Sequence, residues 1–167
     1  MHSSDIDNWI ENLAQQLSRQ LQEEGRDDPL MVGIHTGGVW IAERLRQQME
    51  LSSPLGTMDI SFYRDDFSRI GMNPQVRPSE LPLSVDGRTV ILVDDVLYTG
   101  RTIRAALNEL FDYGRPDRVM LAVLIDRGAR ELPIQADCVG VQLDLSPSQQ
   151  VKLCGPEPLR LETNRKD

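Results

Sequence analysis

One stretch constrains this chain more than any other. From Thr89 it reads Thr-Val-Ile-Leu-Val-Asp-Asp-Val-Leu-Tyr-Thr-Gly-Arg-Thr-Ile, ending at Ile103. The β-branched run is that of a buried strand. It ends on two adjacent carboxylates, Asp94 and Asp95, and a short turn holding Thr99, Gly100 and Thr102 follows. Ile103, Ala106, Leu107 and Leu110 then recur on one face of a helix. The first turn of a helix presents unpaired N–H groups at the positive end of its dipole, which makes it a site for a phosphate. Gly100 lets the backbone approach a ligand with no Cβ in the way, and Thr99 and Thr102 can donate hydroxyl hydrogen bonds to phosphate oxygens. Carboxylates would repel a phosphate they touched, but they suit hydroxyl donors close to one, as on ribose. Helix capping needs one Asp or Thr; two acids and a glycine between threonines are more than a cap requires. No Gly-x-x-x-x-Gly-Lys is present, so a nucleoside-triphosphate P-loop is not supported.

The flanking sequence supplies the setting. Ile6, Trp9, Ile10, Leu13, Leu17 and Leu21 are spaced as the apolar face of a helix over residues 5–24, with Ser4 and Asp7 resembling a capping box and Gly25 as its stop. A short apolar run over residues 31–34 leads through His35-Thr36-Gly37-Gly38 into a second helical pattern carrying Ile41, Ala42, Leu45 and Met49. Met58, Ile60 and Phe62 alternate as in a half-buried strand, and residues 119–125 are almost wholly apolar, as in a strand buried on both faces. Shorter strand patterns fall at residues 139–143, 151–153 and 159–161. Residues 63–84, with Pro74, Pro78 and Pro82, read as a long loop, which in a compact domain is often a lid. The expectation is an α/β domain spanning residues 1–167, its mainly parallel sheet flanked by helices, with ligands beyond the carboxyl ends of the strands.

Composition excludes several classes. No apolar stretch approaches the ~20 residues that span a bilayer, and the first residues lack the basic start and apolar core of a secretory signal. Cys138 and Cys154 are the only cysteines, too few for a disulfide framework or a metal-binding cluster, so a reducing cytoplasm is expected. A net charge of −8 repels nucleic acid unless a local basic patch overcomes it.

The strand, Asp-Asp, loop and Thr-Gly-x-Thr resemble the signature by which type I phosphoribosyltransferases bind phosphoribosyl diphosphate (PRPP). More of the chain is similar to one group of these, the PyrR family of pyrimidine operon regulators that are also uracil phosphoribosyltransferases. The likeness is carried by Val-Asp-Asp-Val-Leu-Tyr-Thr-Gly-Arg-Thr, Gly114-Arg115-Pro116, the Ala-Val-Leu-Ile-Asp-Arg-Gly of residues 122–128 and Arg130-Glu131-Leu132-Pro133-Ile134. It extends to Ile60-Ser-Phe-Tyr-Arg-Asp-Asp66 and the Val-Gly-Ile-His-Thr of residues 32–36, and runs from about residue 30 to residue 143.

The resemblance implies the type I phosphoribosyltransferase fold with a flexible hood loop, and these roles. Asp94 and Asp95 bond the ribose hydroxyls. Val96, Leu97, Tyr98, Thr99, Gly100, Arg101 and Thr102 hold the 5-phosphate. Thr36, Gly37 and Gly38 form the pyrophosphate loop, a place where strained or cis peptides often occur. Tyr63, Arg64, Asp65, Asp66 and Arg77 belong to the hood, with Arg64 and Arg77 nearest the diphosphate. Ile125, Asp126 and Arg127 lie by the base. Mg²⁺ is bound mainly through PRPP, with no direct protein ligand assigned. The implied reaction converts uracil and PRPP to UMP and diphosphate in a cytoplasmic homo-oligomer. Gly37 departs from the family's usual Thr-Arg-Gly, so a cation is missing there and activity is less secured. Arg127 and Arg130 are what remains of the family's basic RNA-binding face: Ala129 replaces its histidine, Gln135 its second basic residue and Val141 its later lysine. Binding of pyrimidine leader mRNA is accordingly weakened. The alternative is a nucleotide-sensing regulator of pyrimidine genes with little or no catalysis, acting through RNA or a protein partner.

Overall fold

A computed structural model describes residues 3–60 and 79–166. The elements in chain order are α1 (Ser3–Glu23), β1 (Leu30–Ile34), α2 (Gly37–Gln48), β2 (Gly56–Met58), β3 (Thr89–Leu97), α3 (Arg101–Asp112), β4 (Arg118–Asp126), β5 (Cys138–Gln142), β6 (Gln149–Cys154) and β7 (Arg160–Arg165). Five of the strands form one sheet in the order β2-β1-β3-β4-β5, with every neighbouring pair parallel. Strands β6 and β7 form a separate antiparallel hairpin.

Parallel strands are covered on both faces, so alternate residues of one strand enter different cores. Met31, Ile91, Val93, Met120, Ala122 and Leu124 pack with α1, α2 and the apolar side of the hairpin. Leu30, Val32, Val90, Leu92, Leu121 and Val123 pack with Ile103, Ala106 and Leu110 of α3. Helix α1 buries Ile6, Ile10, Leu13, Ala14, Leu17 and Leu21, the stripe its spacing called for, and Trp9 packs half-buried against the same cluster. Gln16 of α1 also serves the edge strand β5, donating to Val139 O at 2.9 Å and accepting from Val139 N–H at 3.2 Å. That covers an exposed edge that could otherwise pair with another chain.

Two expectations about elements change. Ser4 and Asp7 both lie inside α1, so they form no capping box at its start. The helix does end as expected, with Gly25 at φ +62°, a conformation that glycine adopts without penalty. The strand expected around Met58, Ile60 and Phe62 is confined to Gly56–Met58; Ile60 is buried beyond its end, and Phe62 lies outside the described residues. Glu80 forms an antiparallel bridge with Thr57. No helix among the described residues is long and apolar enough to cross a membrane.

Candidate active site

The sheet order reverses direction between β1 and β3: the chain leaves β1 towards β2 on one side, and leaves β3 towards β4 and β5 on the other. In open parallel sheets the crevice at such a switch point, beyond the carboxyl ends of the strands, is where ligands bind. Here β1 gives way to Thr36 and the start of α2, and β3 ends on Asp94, Asp95 and the turn into α3. Two helix N-termini therefore flank one crevice that holds two carboxylates. A cavity of about 890 Å³ opens there, lined by Thr36 and Gly37 on one side and by Asp94, Asp95, Val96, Tyr98 and Thr102 on the other.

Asp94 is buried, only 3% exposed, and its Oδ1 accepts the Asp95 N–H at 2.9 Å. The Asp95 carboxylate in turn accepts the Val96 N–H at 2.9 Å. These bonds fix the side chains, and each carboxylate has about four acceptor sites in all. The His35–Thr36 peptide is cis. Thr36 caps α2 by position only, its side chain making no capping hydrogen bond. Gly37 and Gly38 are buried at the first turn of α2. A Cβ on Gly37 would run into the Asp95 carboxylate, and one on Gly38 would come within 2.5 Å of Val93 O. Both glycines are thus required by the close approach of α2 to β3. The space a side chain at position 37 would enter is taken by Asp95.

The turn after β3 differs in detail from the expectation. Gly100 has φ +97°, and a Cβ there would point at Ile134, 3.1 Å from its Cβ, and at Leu132. Glycine is needed for this backbone conformation and for the packing of residues 132–134 beneath the turn, rather than to admit a ligand. Thr99 Oγ1 accepts the Arg101 N–H at 3.2 Å, which removes one of the amides assigned to phosphate. Leu97 is buried, while Val96, Tyr98 and Thr102 line the cavity.

The residues placed by the base and at an RNA face are drawn into the fold. Ile125 is fully buried within β4. Arg127 lines the cavity, but its guanidinium stacks 4.0 Å over the Tyr98 ring and donates to Ser146 O and Gln149 O at 3.2 and 2.9 Å. Arg130 pairs with Asp126 Oδ2 at 2.6 Å and donates through Nε to Ile134 O at 2.8 Å. Burial pushes the Asp126 carboxyl up, but Arg130 and the Gly128 N–H bonded to it outweigh that and hold it below the usual carboxylate value. Arg127 and Arg130 therefore do not stand as free cations towards a phosphate backbone. Tyr63, Arg64, Asp65, Asp66 and Arg77 lie outside the described residues.

Sequence reasoning missed the opposite wall. The β6–β7 hairpin buries Leu153 and Leu161 in the core, and its polar residues line most of the cavity's far side, with Val151 and Leu153 between them. Gln150 lies directly across from Asn164, and Lys152 across from Glu162; all four line the cavity, as does Lys166. The chain has only two lysines, and both are on this wall. The signal was present as period-2 alternation in β6, which a strand pattern alone does not orient towards a site. Trp40, on the second turn of α2, also lines the cavity.

Comparison with known proteins defines the class. Residues 2–157 match the phosphoribosyl transferase domain family. A hypoxanthine-guanine phosphoribosyltransferase from Bacillus anthracis superposes with a TM-score of 0.69 at 18% identity, covering 86% of this chain and 81% of that one. A hypoxanthine phosphoribosyltransferase from Staphylococcus aureus gives 0.62 at 23% identity, covering 85% and 75%. At such identities the likeness is one of fold. Among proteins of closer sequence, the "Bifunctional protein PyrR" of Nitrosococcus oceani is 62% identical over 160 residues, covering 95% of this chain and 90% of the relative. That of Pseudomonas aeruginosa is 57% identical over 153 residues, covering 92% and 90%. The chain belongs to the type I phosphoribosyltransferases and, within them, to the PyrR family.

Proposed function

We propose that the chain is a uracil phosphoribosyltransferase of the PyrR type, forming UMP and diphosphate from uracil and PRPP. The observation that carries this reading is the pairing of two helix N-termini across one crevice, with Asp94 and Asp95 between them. PRPP has a matching pattern: two anionic groups joined by a sugar bearing hydroxyls. The start of α3, with Thr102 and the amides of the turn, takes the 5-phosphate. Thr36 and the first amides of α2 take the diphosphate. The two carboxylates accept hydrogen bonds from the ribose hydroxyls. The N1–C1′ bond forms as the C1′–O bond breaks, its electron pair leaving with diphosphate, and the N1 proton is released. No protein nucleophile is needed; orientation and fixed dipoles supply the rate.

Mg²⁺ fits this site through the substrate. The Asp94 and Asp95 oxygens are the hard donors of this cavity that would face the ion, and it would supply positive charge against the diphosphate. Gly37 carries no cation, but the Lys152 and Lys166 ammonium groups on the facing hairpin bring positive charge to the same cavity. The Gln150 and Asn164 amides on that wall can both donate and accept, as the edge of uracil requires, so the base is placed against the hairpin and not at Ile125. Arg64 and Arg77 of the hood are assigned to the diphosphate on the resemblance alone. A cytoplasmic homo-oligomer with a second role in controlling pyrimidine genes completes the reading. The inward commitment of Arg127 and Arg130 weighs against leader mRNA contacts at those side chains.

The test is UMP formation with PRPP and Mg²⁺, run against uracil, hypoxanthine and guanine. Turnover with uracil well above the purines is expected. UMP binding without turnover supports instead a nucleotide-sensing regulator, and turnover with purines contradicts the base assignment.

A further inference from the structure

The turn between β3 and α3 is held from beneath by one segment, residues 127–132. The Arg127 N–H donates to Leu97 O at 3.1 Å, and the Glu131 and Leu132 N–H groups both donate to Thr99 O, at 3.0 and 3.1 Å. The carbonyl between these, Tyr98 O, accepts from Arg130 Nη1 at 2.9 Å. Three consecutive carbonyls thus face the same segment. In a trans peptide the N–H points opposite to the C=O of its own plane, so the N–H groups of Tyr98, Thr99 and Gly100 are turned away from it. Tyr98 lines the cavity on that other side. Of the four donors, three are main-chain groups. Arg130 is the side chain among them, and its own aim is fixed by Asp126 Oδ2, by Ile134 O and, at 3.3 Å, by Gly128 O.

We propose that Arg130 is a positioning residue: by holding the Tyr98 carbonyl down, it aims the turn's amides at the phosphate of a bound nucleotide or of PRPP. This rests on the reading that the turn takes the 5-phosphate. It gives the Arg130-Glu131-Leu132-Pro133-Ile134 run a task inside the catalytic domain that is independent of RNA. Without Arg130, Tyr98 O has no partner from residue 130, and the peptide carrying the Thr99 N–H is free to rotate. A lysine could keep the charge beside Asp126, but it lacks the planar fork that serves Asp126, Ile134 and Tyr98 together.

The experiment measures binding of UMP and of uridine, with GMP and guanosine in parallel, to the wild-type chain and to Arg130→Ala and Arg130→Lys. The ratio of nucleotide to nucleoside affinity isolates the contribution of the phosphate and is unaffected by how much of a variant is folded. In Arg130→Ala the ratio is expected to fall about tenfold or more, with nucleoside affinity unchanged and the KM for PRPP rising more than kcat falls. Arg130→Lys is expected to recover part of the ratio, and it carries the test if the alanine variant does not fold. An unchanged ratio in the variants overturns the role given to Arg130 while leaving the site intact. A wild-type chain that binds UMP no better than uridine, and GMP no better than guanosine, overturns the phosphate site itself.

Discussion

At the scale of single residues, the acids at the end of β3 are the part of the site most open to direct test. Asp94 is buried and uses Oδ1 to accept the Asp95 N–H. Asparagine retains that acceptor, so Asp94→Asn preserves the local hydrogen bond while removing the negative charge. Turnover is expected to fall about a hundredfold, the scale on which misplaced substrate contacts act, with a melting temperature close to wild type. Steady-state kinetics and thermal melting on the same preparation check both halves. That Asp94, Asp95 and Thr102 lie together at one cavity was legible in the sequence, because the strand, turn and helix that carry them are consecutive. The reason for Gly100 was not: its missing Cβ faces Ile134, more than thirty positions along the chain, and no local pattern reports that contact. The partners of Arg127 and Arg130 were illegible for a related reason: the carbonyls and the carboxylate around a cation in a short polar run are brought to it by the fold.

At the scale of elements, helical and strand periodicities carried most of the assignment. The stripe from Ile6 to Leu21 is buried as its spacing required, because one face of α1 must cover the sheet while the other meets water. Leu13 is fully buried in that stripe, and Leu13→Ala is expected to cost about 2–5 kcal/mol, read as a lowered urea midpoint with an unchanged m-value. The N-terminal boundary of α1 was less legible, since Ser and Asp are as acceptable in the first turn as before it. The hairpin shows the other limit of periodicity. Alternation in β6 separates a polar from an apolar face, but which face meets a ligand depends on where the hairpin docks. Its apolar residues Leu153, Leu159 and Leu161 enter the same cluster as α1 and α2, and that docking turns Gln150, Lys152, Asn164 and Lys166 into a wall of the cavity.

For the whole molecule, function follows from connectivity. The strand order β2-β1-β3-β4-β5 places the switch point between the two strands whose following helices begin with glycine-containing turns. A mainly parallel sheet flanked by helices was expected from the alternation of strand and helix. The neighbour relation of β1 and β3, which brings Gly37 against Asp95, follows from tertiary packing and not from any one motif. On the proposed reading the charge of −8 has a consequence at this scale: an anionic substrate would enter against the overall field, and local dipoles and the two lysines of the hairpin wall would have to offset it. The central claim is that the turn from Tyr98 to Thr102 cradles the 5-phosphate beside the two acids. Amide chemical shifts of the uniformly ¹⁵N-labelled chain, followed as UMP is added to saturation and then compared with uridine, test it most directly. The account predicts large shifts at Tyr98, Thr99, Gly100 and Thr102 with UMP and much smaller ones with uridine. Saturation with UMP that leaves these four amides where they were would contradict it.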